Sequence, residues 1–198
     1  FSQEAERFVK QALIALVDKY SKQTYKANFG EVPFGDITKK ATKDYIPDGF
    51  DVLCAGFPCQ AFSMMGRKLG FNDIRGNIFY SIIKILKVKQ PKYVLLENVR
   101  NLKRHDNGNT FIEITRSLRE DAGYTVFNDV FNTSDFGLPQ TRRRVFLLAI
   151  RNDLDSIIND ITFEYNIFNE MMIKDLKPTA ENILKNSESK IVCLFSKR

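Results

Sequence analysis

Four short apolar runs punctuate the chain: FDVLCAGF (50–57), YVLLENV (93–99), YTVFNDVF (124–131) and RRVFLLAI (143–150). Three of them are nearly continuous in apolar residues, the pattern of strands covered on both faces. Between them lie NIFYSIIKILKVKQ (77–90) and NTFIEITRSLREDAG (109–123). In the first, Ile78, Ile82, Ile85 and Leu86 recur at helical spacing, and in the second Phe111, Ile114 and Leu118 do the same. Pro91 and Gly123 stand where these helices have to stop. Strand and helix alternating in this way predict an α/β fold with a mostly parallel sheet flanked by helices.

Both ends are less regular. Residues 3–28 read as helical throughout, with Phe8, Leu13, Leu16 and Val17 in a first segment and SKQTYKANF in a second that Gly30 ends. Beyond residue 150, RNDLDSIIND and ITFEYNIFNE hold no sustained period, and a short helix is expected from Pro178-Thr179-Ala180-Glu181. The compact unit is therefore expected over residues 1–150, with 151–198 as a bridge. The 198 residues suffice for one domain with a real core. No apolar run is long enough to span a bilayer. Cys54, Cys59 and Cys193 make an odd number without metal-ligand spacing, which favours a reducing, cytoplasmic setting and suggests no metal site. A net charge of +6 is compatible with a polyanionic partner.

In open parallel sheets the chemistry gathers where strands end at their carboxyl edge. Cys59 falls just past the first clear strand and Glu97 at the end of the next. Adjacent strands lie about 4.8 Å apart, so a thiol and a carboxylate placed there can face one small substrate. Cys54, inside an apolar run, reads as a core residue. Arg143 alternates with Arg142 and Arg144 and reads as the surface member of the three. His105 is given no catalytic role, and the run HDNGNT around it reads as the cap of the following helix.

Several motifs occur together and in order: Pro58-Cys59-Gln60 with Phe62-Ser63, Asp73-Ile74-Arg75-Gly76-Asn77, Glu97-Asn98-Val99, His105 to Thr110, and Gln140-x-Arg142-x-Arg144. With them the chain resembles the DNA (cytosine-5)-methyltransferases of bacterial restriction–modification systems, of the HhaI type, from about Asp18 to about Leu154. The resemblance implies a Rossmann-like, S-adenosylmethionine-dependent methyltransferase domain that methylates carbon-5 of a cytosine flipped out of double-stranded DNA. Carbon-5 is a poor nucleophile until a thiolate adds to carbon-6. By resemblance Cys59 is that thiolate, and Glu97 holds the ring at nitrogen-3 and shares a proton there. Arg144 then supports the base carbonyl, and Arg142 holds the adjacent backbone or the cofactor-side network. The resemblance likewise implies cofactor contacts from Asp36, Ile37, Pro58 and Phe79. It implies contacts to DNA or the flipped base from Gln60, Ser63, Arg75, Asn98, Val99 and Gln140. A bacterial, cytoplasmic setting follows.

Two departures qualify the resemblance. The family opens on a strand ending in Phe-x-Gly-x-Gly-Gly, of which only Phe1-Ser2 has an echo, so the chain reads as truncated or degenerate at its N-terminus. Leu16 and Val17 stand where an acid should hold the cofactor ribose, which leaves S-adenosylmethionine binding without that support. None of the 48 residues beyond Ile150 reads as the return from a target-recognition domain, so the chain is expected to lack one. Three alternatives therefore stay open beside the DNA enzyme: an inactive nucleic-acid-binding domain, an RNA cytosine-5 methyltransferase, and a split enzyme completed by a second chain.

Overall fold

The apolar runs do become strands, because a parallel sheet covered by helices is the arrangement that dries them most completely. The computed structural model describes residues 13–16, 19–58, 76–136, 139–154, 158 and 191–195. In chain order these give strand β1 (Leu13–Leu16), helices α1 (Lys19–Phe29) and α2 (Lys40–Asp44), strand β2 (Val52–Gly56), helix α3 (Gly76–Lys89) and strand β3 (Tyr93–Val99). A 3₁₀ segment (Arg100–Gly108) leads into helix α4 (Asn109–Arg116), which ends in a π-helical turn (Ser117–Asp121). Strands β4 (Tyr124–Asn132), β5 (Arg143–Arg151) and β6 (Ile191–Phe195) complete the sheet, with a 3₁₀ turn (Thr133–Phe136) after β4.

The spatial order is β1-β6-β2-β3-β5-β4. Neighbours from β1 to β3 pair in parallel, whereas β5 is antiparallel to both β3 and β4. Only β5 therefore runs against the rest, and the mostly parallel sheet expected from the sequence is present.

Strand alternation sorts the sheet into two unlike faces. Leu53, Val94, Leu96, Val145, Leu147 and Ala149 line one of them and are almost wholly buried. Against this face pack Phe79, Ile82 and Leu86 of α3 and Ile114 of α4, all in one apolar cluster. Each such side chain contributes about 1.5–3 kcal/mol on burial. The other face carries Cys54, Leu95, Glu97, Phe146 and Leu148, and there Leu95 is 37% exposed.

Three expectations are corrected. The first helical segment expected within 3–28 contains strand β1, since a run of four apolar residues suits a buried strand as well as a helix turn. The expected bridge over 151–198 includes β6, which lies between β1 and β2, so the sheet does not close at Ile150. The helix expected over 109–123 is α-helical only to Arg116; its π turn then stops at Gly123, where φ is +84°. The short helix expected from Pro178 lies outside the described residues. Among the described residues no helix is long and apolar enough to cross a membrane.

Candidate active site

Strand register lines up Leu16, Phe195, Gly56, Glu97, Phe146 and Asp129 as one row near the carboxyl edge of the parallel strands. Gly56 stands beside Glu97 in this row and contributes no side chain to it. The chain leaving Gly56 continues through Phe57 and the half-buried Pro58 to the position of Cys59.

Glu97 is not alone on its face. Arg144 lies opposite Val99, one diagonal step from Glu97, and a diagonal of this kind is within reach of long side chains. Its Nε sits 3.0 Å from Glu97 Oε1. The two side chains are 18% and 24% exposed, so the pair is partly shielded from water yet open to the rim. Phe131, beside Arg144 in register, stacks at 5.7 Å on Phe146, which lies beside Glu97. A carboxylate fixed by a guanidinium over an aromatic floor can receive the polar edge of a planar ring.

Asn98 points to the opposite face and is 2% exposed. Its Nδ2 donates to the Phe57 carbonyl at 2.7 Å, and its Oδ1 accepts the Val99 N–H at 2.8 Å. Expected to touch DNA, Asn98 instead ties the end of β3 to the segment just ahead of Cys59. A buried amide has to satisfy its hydrogen bonds, and here the backbone satisfies them.

The remaining expected residues divide. Ile37 and Phe79 are buried in the apolar cluster, with Phe79 stacked at 5.3 Å on Phe57, so they support the rim from beneath. Asp36 Oδ1 accepts from the Thr38 N–H at 2.9 Å and the Thr38 hydroxyl at 2.8 Å, which fixes a tight turn. Close by, Lys43 donates to the Thr38 carbonyl. Burial, with Lys84 adding to it, pulls the Lys43 ammonium below its usual 10.5, while Asp44 and Asp36 oppose the shift. Arg142 and Gln140 are exposed; the Arg142 N–H donates to Asn132 Oδ1 at 2.9 Å, and the Gln140 carbonyl accepts from the Thr133 hydroxyl. Cys59, Gln60, Ser63 and Arg75 lie outside the described residues. The HDNGNT run does precede a helix but places no side-chain cap on it; His105 Nδ1 and the Thr110 hydroxyl are 2.7 Å apart instead.

The signature described as C-5 cytosine-specific DNA methylase matches residues 3–197. The chain belongs to this family. It is 48% identical over 158 residues to the type II methyltransferase M.NgoBI of Neisseria gonorrhoeae, covering 80% of the chain and 49% of that relative. It is 45% identical over 159 residues to M.HhaI of Haemophilus parahaemolyticus, covering 80% and 47%. The chain thus spans about half the length of the curated relatives it matches. In fold it is similar to the S. pombe Dnmt2 methyltransferase, with a TM-score of 0.58 at 20% identity, covering 87% of this chain and 54% of that one. It is also similar to the Entamoeba histolytica methyltransferase EhMeth, with a TM-score of 0.51 at 22% identity over 69% and 44% of the two chains. The Rossmann-like methyltransferase fold is therefore established.

The methyl donor of this family is S-adenosylmethionine. Of the residues expected to hold it, Asp36 fixes an ordered turn and the adjacent Ile37 is buried in the apolar cluster beneath, which fits such a contact. On the ribose side they do not fit, because β1 ends in Leu16 where a Rossmann-like site needs a carboxylate.

Proposed function

We propose that this chain carries the catalytic part of a DNA (cytosine-5)-methyltransferase of a bacterial restriction–modification system, acting in the cytoplasm on a cytosine flipped out of duplex DNA. One observation carries the reading: Glu97, which pairs with Arg144, stands in the rim row beside Gly56, the last residue of the strand that leads to Cys59. Cys59 adds as thiolate to carbon-6 of the base, while Glu97 meets the nitrogen-3 edge and steadies the proton there. Arg144, already paired with Glu97, is assigned the base carbonyl and supports the charge that builds on the ring. Asn98 keeps the Phe57 backbone, and with it the approach to Cys59, in place. S-adenosylmethionine supplies an electrophilic methyl group when bound; Asp36, Ile37 and Pro58 would hold it.

Gln60, Ser63, Arg75 and Gln140 are proposed to contact the DNA around the flipped base, and Arg142 to brace the backbone beside Arg144. Residues 1–150 with β6 form the catalytic unit in this reading. Sequence readout is assigned to a recognition domain.

A second reading, a nucleic-acid-binding domain that transfers nothing, draws on Leu16 at the end of β1. Covalent trapping on duplex DNA containing 5-fluorocytosine separates the two. With S-adenosylmethionine present, the wild-type chain is expected to form a denaturation-resistant adduct and Cys59→Ser none. Equal trapping by both would remove Cys59 as the nucleophile, and no trapping by either would favour the second reading.

A further inference from the structure

A groove of about 660 Å³ opens between the 3₁₀ segment Arg100–Gly108 and the ends of β4 and β5. Arg100, Lys103 and Arg104 form one wall, Arg143 and Asn132 the other, and Asp135 is the only acid in the lining. Four cations against one carboxylate leave the groove with three net positive charges. Among the described residues none of these four cations is ion-paired. We infer that the groove is a docking site for the backbone phosphates of the DNA flanking the target cytosine, an inference that rests on the DNA-methylation reading above.

A run of exposed arginines is ordinarily a solvated face. What sets this one apart is convergence: two segments separated by the whole of α4 and β4 bring their cations to the walls of one cavity. The wall is also fixed. Asp106, Asn107 and Gly108 all take positive φ, of +52°, +54° and +89°, and so turn the 3₁₀ segment sharply into α4. Lys103 Nζ lies 5.6 Å from the centre of the Phe111 ring, which holds that side chain in place. Guanidinium forks match phosphate oxygens in pairs, so three arginines around one groove suit a phosphodiester chain.

Position ties the groove to the active site. Arg100 directly follows Val99, and Arg143 directly precedes Arg144. By strand alternation Arg143 lies on the helix-covered face with Val145, whereas Glu97 and Arg144 lie on the other. The two surfaces thus meet at one edge of the sheet, and phosphates held in the groove belong to nucleotides beside the flipped base. No aromatic ring lines the groove, so it lacks the platform on which unpaired bases stack. Backbone recognition without base readout follows, and duplex DNA is favoured over single-stranded RNA.

The test is fluorescence-anisotropy titration of the 198-residue chain with a short labelled DNA duplex over a range of salt concentrations. The triple variant Arg100→Ala/Arg104→Ala/Arg143→Ala is compared with wild type, alongside Arg143→Ala alone as the milder change. Unfolding curves confirm that both variants are folded. The triple variant is expected to bind at least roughly tenfold more weakly and to lose about 0.9 from the log–log salt slope per phosphate contact removed. An unchanged affinity and slope would overturn the groove while leaving the methylation reading intact. A loss seen with single-stranded RNA and not with duplex would also overturn it. No duplex binding by the wild type would bring down both readings together.

Discussion

Asn98 Nδ2 donates to the Phe57 carbonyl at 2.7 Å across the β2–β3 boundary, two residues ahead of the position of Cys59. The bond is buried and connects the two strand ends whose residues are assigned to the chemistry. Asn98→Ala removes this buried donor and is expected to cost about 1–3 kcal/mol in urea unfolding. Asn98→Asp should cost at least as much, because it sets a buried carboxylate against a carbonyl oxygen. If neither variant moves the midpoint, Asn98 does not clamp the approach to Cys59.

Glu97 and Arg144 make the second testable pair, at 3.0 Å. Glu97→Gln keeps the size of the side chain but removes the charge that orients Arg144 and steadies the ring proton. The methyl-transfer rate is expected to drop by about 10²–10⁴-fold, with duplex affinity unchanged. Arg144→Lys should also slow transfer, since an ammonium cannot reproduce the planar fork. Single-turnover rates decide the matter, and a Glu97→Gln variant as fast as wild type takes Glu97 out of the mechanism.

Much of this was legible in the chain. The helix read over 77–90 is observed as Gly76–Lys89, and the run read over 93–99 as Tyr93–Val99. Apolar period and a stopping proline were enough there. Strand β1 was not legible, because four apolar residues are too few to reveal a period. The Glu97–Arg144 contact was hidden for another reason: the sequence does not show that β5 inserts beside β3 in antiparallel register. Asn98 was expected, by resemblance, to touch DNA or the flipped base, and only the packed face shows that it is 2% exposed. Arg143 read as plain surface because its partners around the groove come from a distant segment.

On α4, Glu113 accepts from Arg116 Nε at 3.0 Å and Nη2 at 2.8 Å. Chiefly through Arg116, and despite an opposing contribution from partial burial, its carboxyl is held below its ordinary 4.5. The folded protein thus binds this proton more weakly than the unfolded chain does. The pair stabilises at pH above 4.5 and its contribution disappears as acid protonates Glu113 in the folded state. The two side chains are 40% and 35% exposed, so solvent screening limits the effect. Arg116→Gln is expected to lower stability at neutral pH by less than about 1 kcal/mol. Unfolding curves of the two proteins should converge as the pH falls below 4.5, and a gap that stays constant into acid would assign the effect to something other than this pair.

Leu16 closes β1 at the row that continues through Phe195 and Gly56 to Glu97. A carboxylate at such a strand end holds ribose hydroxyls in Rossmann-like sites. With Leu16 there, the residues proposed to hold the cofactor, Asp36 and Ile37, have no acidic counterpart at the last position of β1. Weak S-adenosylmethionine binding by the wild-type chain is therefore expected in calorimetry without DNA. Leu16→Glu supplies the missing acceptor, and hydrogen bonds to a charged group contribute about 1.5–3 kcal/mol. Affinity for S-adenosylmethionine should then rise by roughly 10–100-fold, whereas Leu16→Gln, uncharged, should gain far less. S-adenosine compounds lacking the ribose hydroxyls should gain nothing from Leu16→Glu. A Leu16→Glu chain that binds the intact cofactor no better than wild type would show that the end of β1 does not face the ribose.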